Sequence, residues 1–169
     1  ERRKTVNYEN GLVFITDHKL DRVDEMMPIL ELAARENKPL VIVAEEIEGQ
    51  LLAALIMNTV RGNMKIVAIK APFYGEQRRD FLDDLAIVTG GKFISRESGI
   101  AFTDFKLENF GRFTKIESKK FTTTVVSKTT KYDLLEARLE QLKELIKDEE
   151  NLEECKRIQQ RINRLASGV

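Results

Sequence analysis

A chain of 169 residues, 42% hydrophobic and 33% charged, is long enough for one domain with a substantial core. Its 28 Lys and Arg balance 28 Asp and Glu, so charge points to neither nucleic acid nor a membrane surface; no apolar run approaches the roughly 18 residues of a membrane-spanning helix, and the charged start ERRKTVNYEN is not a signal peptide. A single cysteine, Cys155, excludes an internal disulfide and fits a reducing compartment, and a single histidine, His18, disfavours Ser-His-Asp triads and multi-histidine metal sites.

In chain order, GLVFIT (11–16) is apolar and β-branched enough to predict a buried strand, and PLVIVAEE (39–46) and MKIVAIK (64–70) match it. Between the first two, DRVDEMMPILELAAREN (21–37) has helical spacing. Pro28 is tolerated only in a first turn, so regular helix is expected to begin close to Met26 or Met27. QLLAALIMNTVRG (50–62) is also helical. EQRRDFLDDLAIVTGG (76–91) reads as a third helix with Gly90 as its stop signal, followed by a short strand, KFIS (92–95). This β-α-β-α-β order with short connections implies an α/β fold, a partly parallel sheet flanked by helices.

From about residue 112, RFTKIES and FTTTVVSK read as a pair of strands at the sheet's margin. Two amphipathic segments follow, KYDLLEARLEQLKELIKDEE and NLEECKRIQQRINRLAS. Leu135, Leu139, Leu142 and Ile146 line one stripe, and Leu152, Cys155, Ile158, Ile162 and Leu165 line the other. Breaking at KDEEN, they are expected to fold back as an antiparallel helical hairpin over 131–166, with Cys155 as a small, inert core residue.

No cluster of polar residues carries a catalytic reading. Glu45, Glu46 and Glu48 follow a parallel strand, at the edge where open α/β sheets place active sites. Without a His or Cys partner they read as turn and helix N-terminal charges. Asp80, Asp83 and Asp84 share a helical side but lack a calcium loop's turn geometry, so they are expected on a solvated face. TGGK (89–92) lacks the spacing of a phosphate loop, and its glycines end a helix rather than begin one. His18, between Asp17 and Lys19, is expected at the surface. No metal site is expected.

The apolar residues of two helices exceed what a core requires. In 50–62, Leu51 and Leu55 fall on one side, while Leu52, Ile56, Val60 and Met57 continue the arc by roughly 200°. In the earlier helix Met26, Ile29 and Ala33 share a side, and Leu30, Met27, Ala34 and Val23 widen it to roughly 160°. Either another layer of the domain covers both faces, or the two helices form a groove for an extended or hairpin peptide, made adaptable by methionine. Periodicity leaves both open.

KPLVIVAEEIEG (38–49), MNTVRG (57–62), KAPFYGEQRR (70–79), LAIVTGGKFIS (85–95) and the ending RLASGV (164–169) resemble the apical domain of group I chaperonins, the GroEL family. The similarity spans almost all of 1–169, with the segments in family order. It implies a β-sandwich or mixed-sheet core flanked by helices, two of which face the ring's cavity and bind non-native polypeptide or, in competition, the mobile loop of the co-chaperonin GroES. By position, EMMPILE (25–31) occupies the first of these helices, with Met27 and Leu30 where the family places binding leucines and Val23 beside them. In the second, Leu52, Ile56 and Met57 fall on the exposed apolar positions, followed by the polar Asn58. The resemblance places a hinge to the intermediate domain at Gly168.

Where the family usually reads KAPGFGDRR, Phe73 replaces a glycine and Tyr74 a phenylalanine, and a phenylalanine does not readily adopt positive φ. Phe121 stands where an aspartate is more usual. The resemblance further implies that intermediate and equatorial domains, with their ATP and Mg sites and heptameric ring contacts, lie outside this segment. It also implies a segment that is itself monomeric, non-catalytic and free of cofactor, in a cytoplasmic or organelle-matrix setting. The competing reading is a small α/β enzyme or nucleotide-binding domain using the acidic edge Glu45–Glu48.

Overall fold

The computed structural model describes residues 5–169. Its centre follows from two strands whose apolar runs are buried on both faces. In β1 (Val6–Thr16) every residue from Gly11 onward is buried, as is all of β3 (Leu40–Ala44). They pair in parallel from Leu12 opposite Leu40 to Ile15 opposite Val43, and β5 (Ile66–Lys70) continues the parallel run beyond β3. On its other side β1 pairs antiparallel with β7 (Gly111–Ser118), and then, at Ile15 and Thr16, in parallel with β6 (Phe93–Ile94). β8 (Thr123–Val126) lies antiparallel to β7 at the far margin, giving the order β5-β3-β1-β7-β8. Separately, β2 (Lys19–Leu20) and β4 (Glu46–Ile47) form a short parallel ladder that ties together the turns after β1 and β3.

The sheet is mixed and curled. Asn10 has φ +54, and a Cβ on Gly11 would lie 2.3 Å from the Phe113 ring and 2.6 Å from the Pro39 carbonyl oxygen, so only glycine fits. Upstream of this point β1 pairs with β7 alone; downstream it pairs on both sides. Strand alternation then distributes the core. Leu12, Phe14, Leu40 and Ile42 face α1 (Val23–Glu36) and α2 (Gly49–Val60). Val13, Ile15, Val41 and Val43 face α3 (Gly75–Thr89), burying Leu82 and Ala86 together with Phe113 and Ile116.

α1 begins earlier than Pro28 suggests. It starts at Val23, so Pro28 is its sixth residue, in the second turn. The missing N–H leaves the Asp24 carbonyl without a helical partner, but Asp24 is exposed and water can replace the bond. Two three-residue turns, Phe102–Asp104 and Leu107–Asn109, complete the α1 side. They place Phe102 and Phe105 edge-on to Phe14, with ring centroids 5.3 and 5.2 Å away, and Phe110 against Phe105 at 4.9 Å.

α4 (Tyr132–Asp148) and α5 (Leu152–Ser167) are joined by residues 149–151, and the Asn151 side chain accepts from the Glu153 and Glu154 amides to cap α5. Leu142, Ile158 and Leu165 are buried together, flanked by Leu135, Leu139, Ile146 and Ile162 and by Ile87 and Val88 of α3. Leu152 does not join this stripe and is exposed, while Cys155 is half-buried with its Sγ 3.3 Å from the Glu149 carbonyl.

One expectation about α3 requires correction. Asp80, Asp83 and Asp84 do not form a solvated face, because arginines from the C-terminal helices meet them. Asp84 accepts from Arg138 at 2.7 Å and from Arg161 at 2.7 and 3.1 Å; Asp83 accepts from Arg138 at 2.6 Å; Asp80 accepts from Arg157 at 3.3 Å and Arg161 at 3.5 Å. Burial pulls the Arg138 guanidinium down, but the Asp83 and Asp84 carboxylates outweigh it and hold it above its ordinary value.

Phe73, just before α3, does adopt positive φ, at +65, with its ring 5.8 Å from that of Phe81. Alanine there keeps the backbone cost and loses the ring; glycine loses both. In urea denaturation Phe73→Gly is therefore expected to be more stable than Phe73→Ala by about 1 kcal/mol. Equal stability of the two would mean that the left-handed conformation is not held.

Candidate functional site

α2 starts where the small ladder fixes the chain: the Glu48 amide donates to the Leu20 carbonyl at 2.9 Å and the Leu51 amide to Asp21 at 3.3 Å. It ends at Arg61, followed by Gly62 at φ +74. Between these points, GQLLAALIMNTV contains no charged residue. Leu51 and Leu55 are 0% and 3% exposed and anchor the helix in the core. On the outer side Ile56 is 53%, Met57 47% and Val60 75% exposed. An amphipathic surface helix ordinarily carries polar groups on its outer face, and this one carries aliphatic side chains.

α1 lies against α2 and adds Met27, 41% exposed. Val23 and Leu52 are half-buried, Leu52 against the core cluster. Leu30 belongs to the core instead of the outer surface: four residues after Met26 and one after Ile29, it remains on the sheet side and is 8% exposed. Asn58 is half-buried and turns back on its own helix, its side-chain amide donating to the Ala54 carbonyl at 3.0 Å. Val60 was not among the expected contacts, although it lies four residues beyond Ile56 on the same side. The three cavities described, of about 840, 350 and 350 Å³, are lined by other residues, so this surface is an open helix face.

The acidic edge is tied up in structural ion pairs. Glu45 pairs with Arg96 and lies 3.6 Å from Arg78, and Glu46 pairs with Lys70 at 3.1 Å. Arg96 also donates to the Asp17 carbonyl at 3.0 Å, joining the ends of β1, β3 and β6. Glu48 sits at the N-cap of α2 without a side-chain capping bond.

His18 is half-buried rather than fully at the surface. Its ring lies against Phe102, with ring centroids 5.1 Å apart, and its buried Nε2 has no hydrogen-bond partner. In TGGK, Gly90 ends α3 at φ +73, and a Cβ on Gly91 would lie 2.5 Å from the Gly111 amide nitrogen. These glycines serve helix termination and close packing.

Gly168 is held in place. It caps α5 at φ +73, its carbonyl accepts from the Ser127 amide at 2.8 Å, and a Cβ on it would lie 2.3 Å from the Ser127 carbonyl oxygen. A pivot at this residue would have to break that contact. Among the described residues no helix is long and apolar enough to cross a membrane, and no group of three or more His, Cys, Asp or Glu is arranged to hold a metal ion. No family model matches the chain.

Proposed function

We propose that this chain is the polypeptide-binding apical domain of a group I chaperonin, and that the outer face of α1 and α2 captures non-native polypeptides and the mobile loop of a GroES-type co-chaperonin. The observation that carries this reading is the uncharged α2, with Ile56, Met57 and Val60 exposed opposite a buried Leu51 and Leu55. The motif resemblance across the chain supports it, as do two adjacent helices on one side of a mixed sheet. The finer architecture belongs to the same proposal: an apical-domain sandwich extended by a C-terminal antiparallel helical hairpin.

Binding follows from apolar desolvation. Each large aliphatic side chain fully buried by a client contributes roughly 1.5–3 kcal/mol, less whatever it already buries. Met27 and Met57 repack at little cost, which suits clients without a fixed sequence. In the proposed full-length ring, ATP and Mg act in the equatorial domain and move this surface between client and co-chaperonin. The segment itself binds and releases without chemistry.

The experiment is capture of a chemically unfolded protein by the isolated chain, read as suppressed aggregation on dilution from denaturant. Suppression is expected, and its absence at several-fold molar excess would reject the reading. Titration with ATP in a calorimeter is expected to give no saturable heat. Saturable binding would instead favour a nucleotide-binding domain.

A further inference from the structure

We infer that the cleft between the sheet's two outermost strands accepts an extended, acidic polypeptide segment as an added β-strand. β5 and β8 stand at opposite ends of the strand order, yet Ala68, Ile69 and Lys70 of one and Thr123, Thr124 and Val125 of the other line the same cavity of about 840 Å³. The two edges of the curled sheet thus approach each other without pairing.

Each edge strand has a sheet neighbour on one side only, so each leaves a row of backbone N–H and C=O groups unpaired by the sheet, on strands whose residues line the cleft. That row of alternating donors and acceptors selects an extended backbone, the pattern of recognition by strand addition. Val43 of β3 and Leu85 and Val88 of α3 provide an apolar floor for alternate side chains of an added strand. These residues lie on the α3 side of the sheet, away from α1 and α2.

The charge of the rim selects the kind of segment. Lys119 and Lys120 line it from the β7–β8 turn and Arg164 from α5; Lys119 lies 3.6 Å from Glu117, which leaves Lys120 and Arg164 as the uncompensated charges. The Lys120 ammonium lies 5.2 Å over the Phe121 ring and the Arg164 guanidinium 5.7 Å over Phe81, so both heads rest on aromatic faces and have no carboxylate partner among the described residues. Among the described residues Asp84 is the one acidic side chain lining the cavity, and Arg138 and Arg161 already engage it. The cleft therefore presents net positive charge to a strand carrying glutamate or aspartate at its ends.

The probe is a fluorescein-labelled heptapeptide of alternating threonine and valine with glutamate at each end. Fluorescence anisotropy measures affinity, and amide hydrogen exchange by NMR locates the site. Slowed exchange is expected in β5 and β8, with affinity unchanged in Ile56→Glu. The double variant Lys119→Glu, Lys120→Glu, confined to an exposed turn, is expected to bind about tenfold more weakly. The same peptide with a central proline should not bind. Protection confined to α1 and α2, no protection anywhere, or equal binding of the proline peptide would overturn the inference. Protection of β5 and β8 with affinity unchanged by charge reversal would overturn its acidic selectivity.

Discussion

Ile56→Glu is expected to leave the fold intact and abolish most capture of unfolded polypeptide, whereas its neighbour Leu55→Glu should unfold much of the domain. The two side chains are separated by about 100° around α2. Ile56 is 53% exposed, so a carboxylate there keeps much of its hydration and should cost within about 0.5 kcal/mol. A client covering that position must strip its water without supplying a partner, which opposes binding. Leu55 is 3% exposed in the core cluster, and an unpaired charge there is expected to cost roughly 3 kcal/mol or more. Urea melts and peptide titrations on both variants decide the matter. Loss of fold in Ile56→Glu would mean that the outer face is structural; full capture by a folded Ile56→Glu would place binding elsewhere.

Asp84→Ala is expected to cost about 2 kcal/mol and to loosen α4 and α5 from α3, because two largely buried guanidinium side chains lose their shared acceptor and keep only the more exposed Asp83 and Asp80. The Asp84 and Arg161 side chains are each 11% exposed and that of Arg138 18%, so water does little to replace the bonds. Asp83 provides the control: its side chain is 47% exposed and it serves Arg138 alone, so Asp83→Ala should cost within about 1 kcal/mol and respond to salt. Urea denaturation gives the difference in stability. Limited proteolysis at residues 149–151 reports the loosening, since that connection is the exposed point between the two helices. Equal effects of the two variants would mean that burial of the pair contributes nothing.

The sheet was legible because its central strands are buried on both faces, which demands continuous apolar runs such as LVIVA in β3. Gly90 was legible because one residue type marks a left-handed helix end. Residues 96–110 were not. Phe102, Phe105 and Phe110 reach the core from short turns that repeat no period, so their burial leaves no pattern to read. The aspartates of α3 were misread for a different reason: their arginine partners lie 54 to 81 residues away, and local spacing carries no information about them. On the candidate surface, helical angle separated Leu51 and Leu55 from Ile56 and Met57. The family resemblance misplaced Leu30, which helical angle sets only at the margin of an arc where the depth of the opposing sheet decides exposure.

The contact between Gly168 and Ser127 has a mechanical meaning. Ser127 directly follows β8, and its hydroxyl donates to the carbonyl of Arg112, in β7, at 2.6 Å and lies 3.2 Å from that of Val88, in α3. A pull on Val169 therefore loads the Gly168–Ser127 bond and, through it, two strands and a helix, instead of peeling α5 away turn by turn. Gly168 thus clamps the end of α5 to the residue after β8, so a displacement applied at Val169 is expected to reach the sheet through that bond before it unwinds the helix.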